Sequence, residues 1–266
     1  MKIAFIGGGN MGEAMLAAVL EKGLSMPEAV CVGEVREERR QYLKDKYAVV
    51  VVGNNREAVA QSEIVVLAVK PQSLAEVLVG LKGCLEPTKL VLSIIAGARI
   101  STLSQGLNHG CIIRSMPNTP AQIGAGISAW TATAGVTGEQ KGRARAILEA
   151  MGRQVYFDDE KYLDMATAVS GSGPAYFFLL AESLVDAAVA IGLSCEDAKE
   201  LVLQTMLGSA QLAHKSGKTP AELRQNVTSP GGTTAAALQV FENGGFAELV
   251  REAVAAAYNR AKELGR

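Results

Sequence analysis

The sequence predicts an α/β part followed by a part made only of helices. Up to about residue 157, short β-rich runs alternate with helical patterns, which indicates βαβ units. The runs IVVLAV (residues 64–69) and LVLSII (residues 90–95) are almost continuously apolar, as is typical of parallel strands covered on both faces. From about Glu160 onward the β signal stops, and Ala, Leu, Glu and Lys dominate. We therefore expect a mostly parallel sheet first and an all-helical domain second.

The predicted elements follow the order of these patterns. Six strands are expected in the first part, at KIAFIG (2–7), AVCVGE (29–34), EIVVLAV (63–69), KLVLSII (89–95), CIIRSMP (111–117) and RQVYF (153–157). Helices are expected in the second part at residues 160–170, 174–192, 195–216, 219–226, 233–243 and 246–264. No low-complexity linker separates the parts, so we place the boundary at the change of period, giving domains of residues 1–158 and 159–266.

Composition argues against several classes of protein. The 266 residues carry 26 basic and 27 acidic side chains, interspersed, for a net charge of −1. Such a chain has no basic field, so neither a nucleic acid nor an anionic membrane is an expected partner. The four cysteines lie far apart with only two histidines, so no metal site or disulfide framework is expected. A reducing, cytoplasmic setting fits best, and the apolar start is too short for a signal peptide.

The helical part is unusually apolar. Its longest apolar stretch, PAYFFLLAESLVDAAVAIGL (residues 174–193), carries Glu182 and Asp186 on one helical face, which predicts a buried amphipathic helix rather than a membrane span. Segments such as REAVAAAYNRA (residues 251–261) have small apolar residues on more than one side, and a helix of that kind needs a second covering surface. This favours a homodimer formed through the helical domain; one compact monomeric bundle is the alternative.

A glycine motif, G-x-G-x-x-G, follows the first predicted strand and opens a helix. Gly7 suits a tight turn, Gly9 lets the backbone approach a pyrophosphate, and Gly12 lets helix and strand lie close together. The helix N-terminus then faces the phosphates. This context predicts a Rossmann-type, doubly wound domain that binds NAD(H) or NADP(H); the alternative is a glycine-rich turn without a ligand. The predicted cofactor contacts in this segment are Ile6, Gly7, Gly8, Gly9, Asn10, Met11 and Gly12.

The second predicted strand delivers Glu34 to the position that reads the cofactor's ribose. A carboxylate there accepts hydrogen bonds from a free 2′-hydroxyl and repels a 2′-phosphate, which favours NAD(H), whereas the guanidinium of Arg36 can bind that phosphate. Arg36, Arg39 and Arg40 can equally be solvated side chains on a helix face. Both Glu34 and Arg36 are predicted cofactor contacts, and the choice between the two cofactors stays open.

Three further strand ends are broken by Pro or Gly, at AVKPQ (residues 68–72), IIAGA (residues 94–98) and SMPNTPA (residues 115–121). Ligands of open parallel sheets bind at the carboxyl ends of strands, so these loops are expected to line the crevice. The alternative is that their prolines only form turns. The cofactor contacts predicted here are Ala68, Val69, Lys70 and Pro71. Lys70 is given a cofactor-side position at most, because a lysine at a strand end often extends to water.

The stretch NVTSPGGTT (residues 226–234) opens a predicted helix with two glycines. Ser229 is expected to cap this helix and Pro230 to occupy its first turn. Each glycine costs about 1 kcal/mol relative to Ala in a helix interior, so their presence needs a reason. Backbone without side chains lets a ligand reach unpaired N–H groups, and the helix dipole favours a carboxylate there. The alternative is an unusual N-terminus that binds nothing.

Taken together, FIGGGNMG, AVKP, IRSMPNTPA, VSGSGPAY and AELRQNVTSPGGTTAAALQVFENGGF resemble the pyrroline-5-carboxylate reductase family in order and spacing along essentially the whole chain. The resemblance implies a Rossmann domain followed by a helical dimerisation domain, with dimers that often assemble further. It also implies reduction of 1-pyrroline-5-carboxylate to L-proline with NAD(P)H, the last step of proline biosynthesis.

The resemblance also implies particular site residues. Asn55 is expected near the adenosine end of the cofactor. Substrate contacts are expected from Glu160, Asn226, Gly231, Gly232, Thr233 and Thr234. The chain departs from the family at the end of the second strand, where many members carry Asn-Arg or Ser-Arg to hold the NADP phosphate. Here Glu34 and Val35 precede the arginine, which puts the cofactor preference in doubt but not the reaction type.

Imine reduction needs a hydride at C5 and a proton on nitrogen, and neither histidine lies in a motif. Because the imine can arrive protonated, the protein mainly aligns donor and acceptor. We hypothesise that the N–H groups of Gly231, Gly232 and Thr233 hold the carboxylate and that Thr234, the predicted catalytic residue, hydrogen-bonds the ring nitrogen.

Two other classes of protein are alternatives. A hydroxy-acid dehydrogenase needs a general acid or base, typically a lysine in the helical domain. The nearest candidates, Lys161, Lys199, Lys215 and Lys218, lie outside both glycine motifs. A non-catalytic dinucleotide sensor would keep the first motif and have no use for a carboxylate site.

Overall fold

The structure is a computed structural model that describes residues 1–265. It contains two compact units. The first comprises Met1–Ser172 together with the residues from Ala257 onward, and the second comprises Gly173–Ala256.

The first unit is built on an eight-stranded sheet in the order β3-β2-β1-β4-β5-β6-β7-β8. Its strands are β1 (Ile3–Ile6), β2 (Val30–Gly33), β3 (Val50–Val52), β4 (Ile64–Leu67), β5 (Leu90–Ser93), β6 (Ile112–Met116), β7 (Gly126–Ala132) and β8 (Gly152–Tyr156). Neighbouring strands are parallel except β6 and β7, which are antiparallel. The first six strands have the doubly wound order of a Rossmann domain. The predicted fold class is therefore confirmed.

Helices connect these strands and cover the sheet. They are α1 (Asn10–Glu21), α2 (Glu37–Tyr47), α3 (Asn55–Ala60), α4 (Leu74–Leu81), α5 (Ile100–Leu107), α6 (Gly138–Ala150) and α7 (Lys161–Ala166), with a π-helical turn at Thr167–Gly171. Short 3-10 turns occur at Pro27–Ala29, Pro71–Ser73 and Thr119–Ile123.

The core lies on both faces of the sheet, as the apolar strands predict. Along β1, Ile3 and Phe5 join one buried cluster, whereas Ala4 and Ile6 join the other. Successive strand residues point to opposite faces, so a strand that is covered on both sides is apolar at nearly every position.

Two strands were not predicted. β3 is only three residues long and lies at the sheet edge, where Val50 is exposed. β7 carries glycine, serine and threonine, which weakens its β pattern, but it is fixed between β6 and β8. Its buried Trp130 donates a hydrogen bond to Gln154 on β8 at 2.6 Å. Tertiary packing thus decides a strand that local sequence leaves undetermined.

After β8, the described elements are all helical. The compact units nevertheless divide at Ser172 rather than at the end of the sheet. The reason is α7, whose Leu163 and Asp164 are buried in the first unit. Asp164 is ion-paired with the buried Arg114 of β6. Judged by its contacts, α7 therefore belongs to the unit that contains the sheet. Judged by secondary structure, the change from strand to helix comes earlier, between Tyr156 and Lys161.

The second unit consists of α8 (Gly173–Ala190), α9 (Cys195–Ser216), α10 (Pro220–Asn226), α11 (Thr233–Asn243) and the beginning of α12 (Phe246–Leu264). The prediction of a buried helix at residues 174–193 is wrong for the single chain, because Phe177, Phe178 and Leu179 of α8 are all more than 60% exposed. By length and composition alone, the segment Lys161–Ala190 could cross a membrane, a property that core helices of globular proteins share. The single chain leaves much of this apolar surface uncovered.

Candidate functional site

The first glycine motif forms the turn between β1 and α1. Gly7 has a φ of +99°, and its N–H donates to the Gly33 carbonyl at 2.8 Å, so glycine suits this turn. A Cβ on Gly12 would collide with the Gly7 carbonyl oxygen. Gly9 is the N-cap of α1, no side chain caps it, and a Cβ there would meet nothing within 4 Å. The helix start is therefore open, and this backbone fits a pyrophosphate.

Both backbone polar groups of Gly8 are held by side chains. Its N–H donates to Oε2 of Glu34 at 3.1 Å, and its carbonyl accepts from Nε of Arg39 at 2.7 Å. A Cβ on Gly8 would also collide with Leu43 of α2. The β2–α2 segment thus fixes the conformation of the loop before any ligand arrives.

Glu34 follows β2 and is buried. Its carboxylate also accepts from the Arg36 backbone N–H at 3.0 Å and from Arg36 Nε at 3.1 Å. Burial raises the pKa of this carboxyl, but the bonds from Arg36 and Gly8 outweigh burial and hold the pKa below its ordinary value. Glu34 is therefore a fixed negative charge beside the glycine loop.

A second carboxylate, that of Glu13 in the first turn of α1, accepts hydrogen bonds from several side chains of α2. It is ion-paired with Arg39 and accepts hydrogen bonds from Tyr42 at 3.0 Å, Lys46 at 2.9 Å and Tyr47 at 2.8 Å. Burial raises the pKa of Glu13, yet these donors lower it to about 2. This cluster was not predicted from the sequence, where its signals are an acidic residue directly after the motif and the basic, Tyr-containing helix YLKDKY (residues 42–47).

The other predicted cofactor residues lie at the same edge of the sheet. Ala68 donates its N–H to Ile6 at 2.9 Å, and the Ala68 carbonyl and Val69 side chain lie against Gly7. Asn55 begins α3, and its Oδ1 lies against Gly33 at the end of β2. Asn10 and Met11 form the first turn of α1, and the exposed Lys70 precedes the turn that begins at Pro71.

Glu160 has structural partners within the first unit. Its Oε1 accepts from the backbone N–H of Ile100 at 2.8 Å and from Nη1 of Arg114 at 2.8 Å. Arg114 is buried on β6 and also donates to Asp164 at 2.9 Å, with Arg99 3.8 Å from the same carboxylate. The carboxylates neutralise a buried guanidinium, and Glu160 also occupies the start of α5. This network was not predicted from the sequence, because Arg114 lies 46 and 50 residues from its two partners.

The second glycine motif is a turn followed by a helix start. The Gly232 N–H donates to the Ser229 carbonyl at 3.0 Å, and Gly231, between them, has a φ of +70°. Gly232 is the N-cap of α11, and no side chain caps it. The predicted cap at Ser229 and first-turn position of Pro230 are therefore wrong, because both residues lie in the turn before the helix.

This turn also changes the expected set of donors. The Gly232 N–H is already used, whereas the N–H groups of Thr233 and Thr234, in the first turn of α11, have no intrahelical acceptor. A Cβ on Gly231 would meet nothing within 4 Å, and Asn226 is exposed at the end of α10. Within the second unit, the start of α11 is therefore open to a small anion. Across residues 1–265, no group of three or more His, Cys, Asp or Glu side chains is placed to hold a metal ion.

Comparison with known proteins agrees with these features. Residues 160–264 match the family model described as pyrroline-5-carboxylate reductase dimerisation, and residues 2–97 match the model described as NADP oxidoreductase coenzyme F420-dependent. The chain is 44% identical to a pyrroline-5-carboxylate reductase of Synechocystis sp. over 100% of this chain and 99% of the relative.

Solved structures give the same result. The structure of a pyrroline-5-carboxylate reductase from Coxiella burnetii superposes with a TM-score of 0.92 at 38% identity, covering 100% of this chain and 98% of that one. The Plasmodium falciparum pyrroline carboxylate reductase with NADP bound superposes with a TM-score of 0.91 at 34% identity, with the same coverage. Sequence motifs, fold and whole-length similarity agree, and the chain belongs to the pyrroline-5-carboxylate reductase family.

Proposed function

We propose that this protein reduces 1-pyrroline-5-carboxylate to L-proline with NAD(P)H, the last step of proline biosynthesis. The observation that carries the proposal is the uncapped, glycine-opened start of α11 in a chain of this family. Such a helix start suits a small carboxylate, because its free N–H groups and the helix dipole both favour an anion.

The substrate carboxylate is held by backbone donors. The first-turn N–H groups of Thr233 and Thr234, with that of Gly231, provide these hydrogen bonds, and Gly232 contributes by having no side chain. Asn226, exposed at the end of the preceding helix, completes the proposed set. Glu160 is proposed to lie near the substrate, and its bonds to Arg114 and Ile100 would keep it in place.

The Thr234 hydroxyl provides the polar contact to the reacting group. It accepts a hydrogen bond from the protonated ring nitrogen, which keeps the C=N bond polarised and fixes the orientation of the ring. The bound nicotinamide supplies the hydride. Transfer of a hydride to C5 of the protonated imine leaves a neutral secondary amine, so no side chain has to lose or gain a proton in that step.

The cofactor site is proposed to comprise the carboxyl ends of β1, β2 and β4. Its predicted contacts are Ile6, Gly7, Gly8, Gly9, Asn10, Met11, Gly12, Glu34, Arg36, Asn55, Ala68, Val69, Lys70 and Pro71. Support comes from the open N-terminus of α1 and from the collision that any side chain on Gly12 would cause.

We also infer a homodimer formed through the helical domain at residues 159–266. Support comes from the dimerisation family model and from the exposed apolar side chains of α8, such as Phe177 and Leu179. Several large apolar side chains exposed together on one helix are typical of a protein–protein interface. Assembly of such dimers into a larger oligomer is a further proposal, and a light-scattering mass equal to one chain would contradict both.

The proposed location is the cytoplasm. All four cysteines are free, which suits a reducing compartment. Fractionation of cells that produce the protein, followed by immunodetection, tests this location.

The activity is tested by following nicotinamide absorbance with purified protein. We expect oxidation of NADH or NADPH that depends on added pyrroline-5-carboxylate and yields proline, with no response to 2-oxo acids. A response to 2-oxo acids would instead indicate a hydroxy-acid dehydrogenase. Cofactor binding without turnover of either substrate would indicate a dinucleotide sensor.

A further inference from the structure

The end of β2 combines one buried carboxylate with three arginines. Glu34 is 6% exposed, and each of its two oxygens accepts a hydrogen bond. One of these bonds comes from Gly8, in the loop that fits the cofactor's pyrophosphate. The carboxylate is therefore held at a fixed distance from that loop, at the position where a Rossmann-type domain reads the ribose next to adenine.

The three arginines are committed to groups of the protein itself. Arg36 donates to the Glu34 carboxylate, and Arg39 donates to the Gly8 carbonyl and to Glu13. Arg40 donates to the backbone carbonyls of Glu34 and Val35 at 3.2 and 2.8 Å. The charge of Arg36 is partly neutralised by Glu34, and a 2′-phosphate bound beside this pair would lie close to the buried carboxylate, which repels it.

We propose that Glu34 is a specificity-determining residue that makes this chain bind NADH more tightly than NADPH. The carboxylate accepts hydrogen bonds from the free ribose hydroxyls of NADH and repels the phosphate that NADPH carries there. The inference rests on the proposed function, because it assumes that the loop at Gly7–Gly12 binds a nicotinamide cofactor. The proposed preference for NADH also distinguishes this chain from the Plasmodium falciparum relative, whose structure has NADP bound.

The test measures dissociation constants of NADH and NADPH for the full-length protein, without substrate, by calorimetry or by the fluorescence of the reduced nicotinamide. Wild type is expected to bind NADH about tenfold more tightly than NADPH, and Glu34→Gln to reduce that ratio about tenfold or more. The control is Glu37→Gln, which removes the same charge from a neighbouring exposed position and should leave the ratio within about twofold.

Three results would overturn the proposal: tighter binding of NADPH by wild type, an unchanged ratio in Glu34→Gln, or an equal shift in Glu37→Gln. If Glu34→Gln fails to fold, the ratio of the two dissociation constants in wild type tests the proposal without that variant. Glu34→Asp, which keeps the charge, should then still bind NADH more tightly than NADPH. Because no pyrroline-5-carboxylate is present, the outcome is separate from the proposed reaction. A protein that prefers NADH but does not reduce the imine would contradict the proposed function only.

Discussion

Two helices of this protein begin in almost the same way and are held very differently. Each has a bare glycine as its N-cap, Gly9 for α1 and Gly232 for α11. A glycine of positive φ precedes each cap, Gly7 at +99° and Gly231 at +70°. The α1 loop is bonded to Glu34 and Arg39 from a different part of the chain, whereas the described bond of the α11 turn is its own Gly232 N–H to Ser229.

The difference shows that a glycine-opened helix start can be used in two ways. In the α1 loop, tertiary contacts hold the backbone of Gly7 and Gly8, so this part of the loop is fixed before a phosphate binds. In the α11 turn, the described backbone bond is local, from Gly232 to Ser229, and no side chain caps the helix, so the first-turn N–H groups are open to a small ligand. Rigidity suits a large cofactor that binds along the loop, and openness suits a small carboxylate.

The largest expected effect tests the tight packing of the α1 loop. Gly12→Ala places a Cβ against the Gly7 carbonyl oxygen, so the backbone has to shift and we expect a loss of about 3 kcal/mol in the free energy of unfolding. Gly9→Ala is the matched control, because its Cβ points into open space. It should change stability by less than about 0.5 kcal/mol and weaken cofactor binding. Equal stability losses in urea unfolding would contradict this account of the loop.

The second prediction concerns Glu13, the carboxylate that holds helix α1 to helix α2. The pKa of Glu13 is lowered to about 2 from 4.5, so its stabilisation is complete above about pH 5 and is lost as the pH falls towards 2. Relative to Glu13→Gln, wild type should be more stable by about 2–3 kcal/mol at neutral pH, and most of that difference should be lost by about pH 2. Urea unfolding at several pH values measures the difference.

Glu222→Gln provides the control in the second unit. Glu222 caps α10 and has a lowered pKa because of the Thr219 backbone and hydroxyl bonds, but it is exposed. Its effect on stability should be clearly smaller than that of Glu13→Gln. A difference between wild type and Glu13→Gln that does not change with pH would mean that Glu13 does not stabilise the fold through its charge.

The third prediction concerns the polar group that the open α11 turn presents. Thr234→Ala should lower kcat/KM by about ten- to over a hundredfold, corresponding to the loss of about 1.5–3 kcal/mol for one hydrogen bond to a charged group. Thr234→Ser keeps the hydroxyl and should retain most of the activity. Steady-state kinetics with pyrroline-5-carboxylate decides, and an unchanged kcat/KM in Thr234→Ala would remove this residue from the mechanism.

The smallest expected effect tests whether the α11 turn binds the substrate and not the cofactor. Gly232→Val adds a side chain at the N-cap of α11 and should raise KM for the substrate about tenfold, while the dissociation constant of the cofactor stays within about twofold. The reverse pattern, with the cofactor affected more than the substrate, would place the carboxylate elsewhere.

Much of the fold could be predicted because its signals are local. The six predicted strands correspond to β1, β2, β4, β5, β6 and β8, and the segments predicted to be helical after residue 160 lie close to the helices observed there. Apolar runs and helical periodicity report directly on burial. β7 escaped prediction because it is stabilised by its neighbours, including the bond from Trp130 to Gln154, and not by its own composition.

The candidate site was predictable in part for the same reason. Glycine spacing after a strand identified the α1 loop, and the glycines at residues 231 and 232 identified the α11 turn. The cap at Ser229 was misplaced because a serine before proline fits a helix cap and a turn equally well. The bonds from Arg39 to Gly8 and from Arg114 to Glu160 join residues 31 and 46 positions apart, and no periodicity carries that information.

The sequence by itself determined the order of six of the eight strands and of the helices after residue 160, the two glycine-opened helix starts and the family. These depend on propensity, periodicity and spacing, which act over a few residues. Only the tertiary structure decided that Glu34 and Arg39 hold Gly8, that Glu160 and Asp164 neutralise Arg114, and that α7 packs with the sheet. Those contacts join charges from distant parts of the chain, and folding alone selects which partners meet.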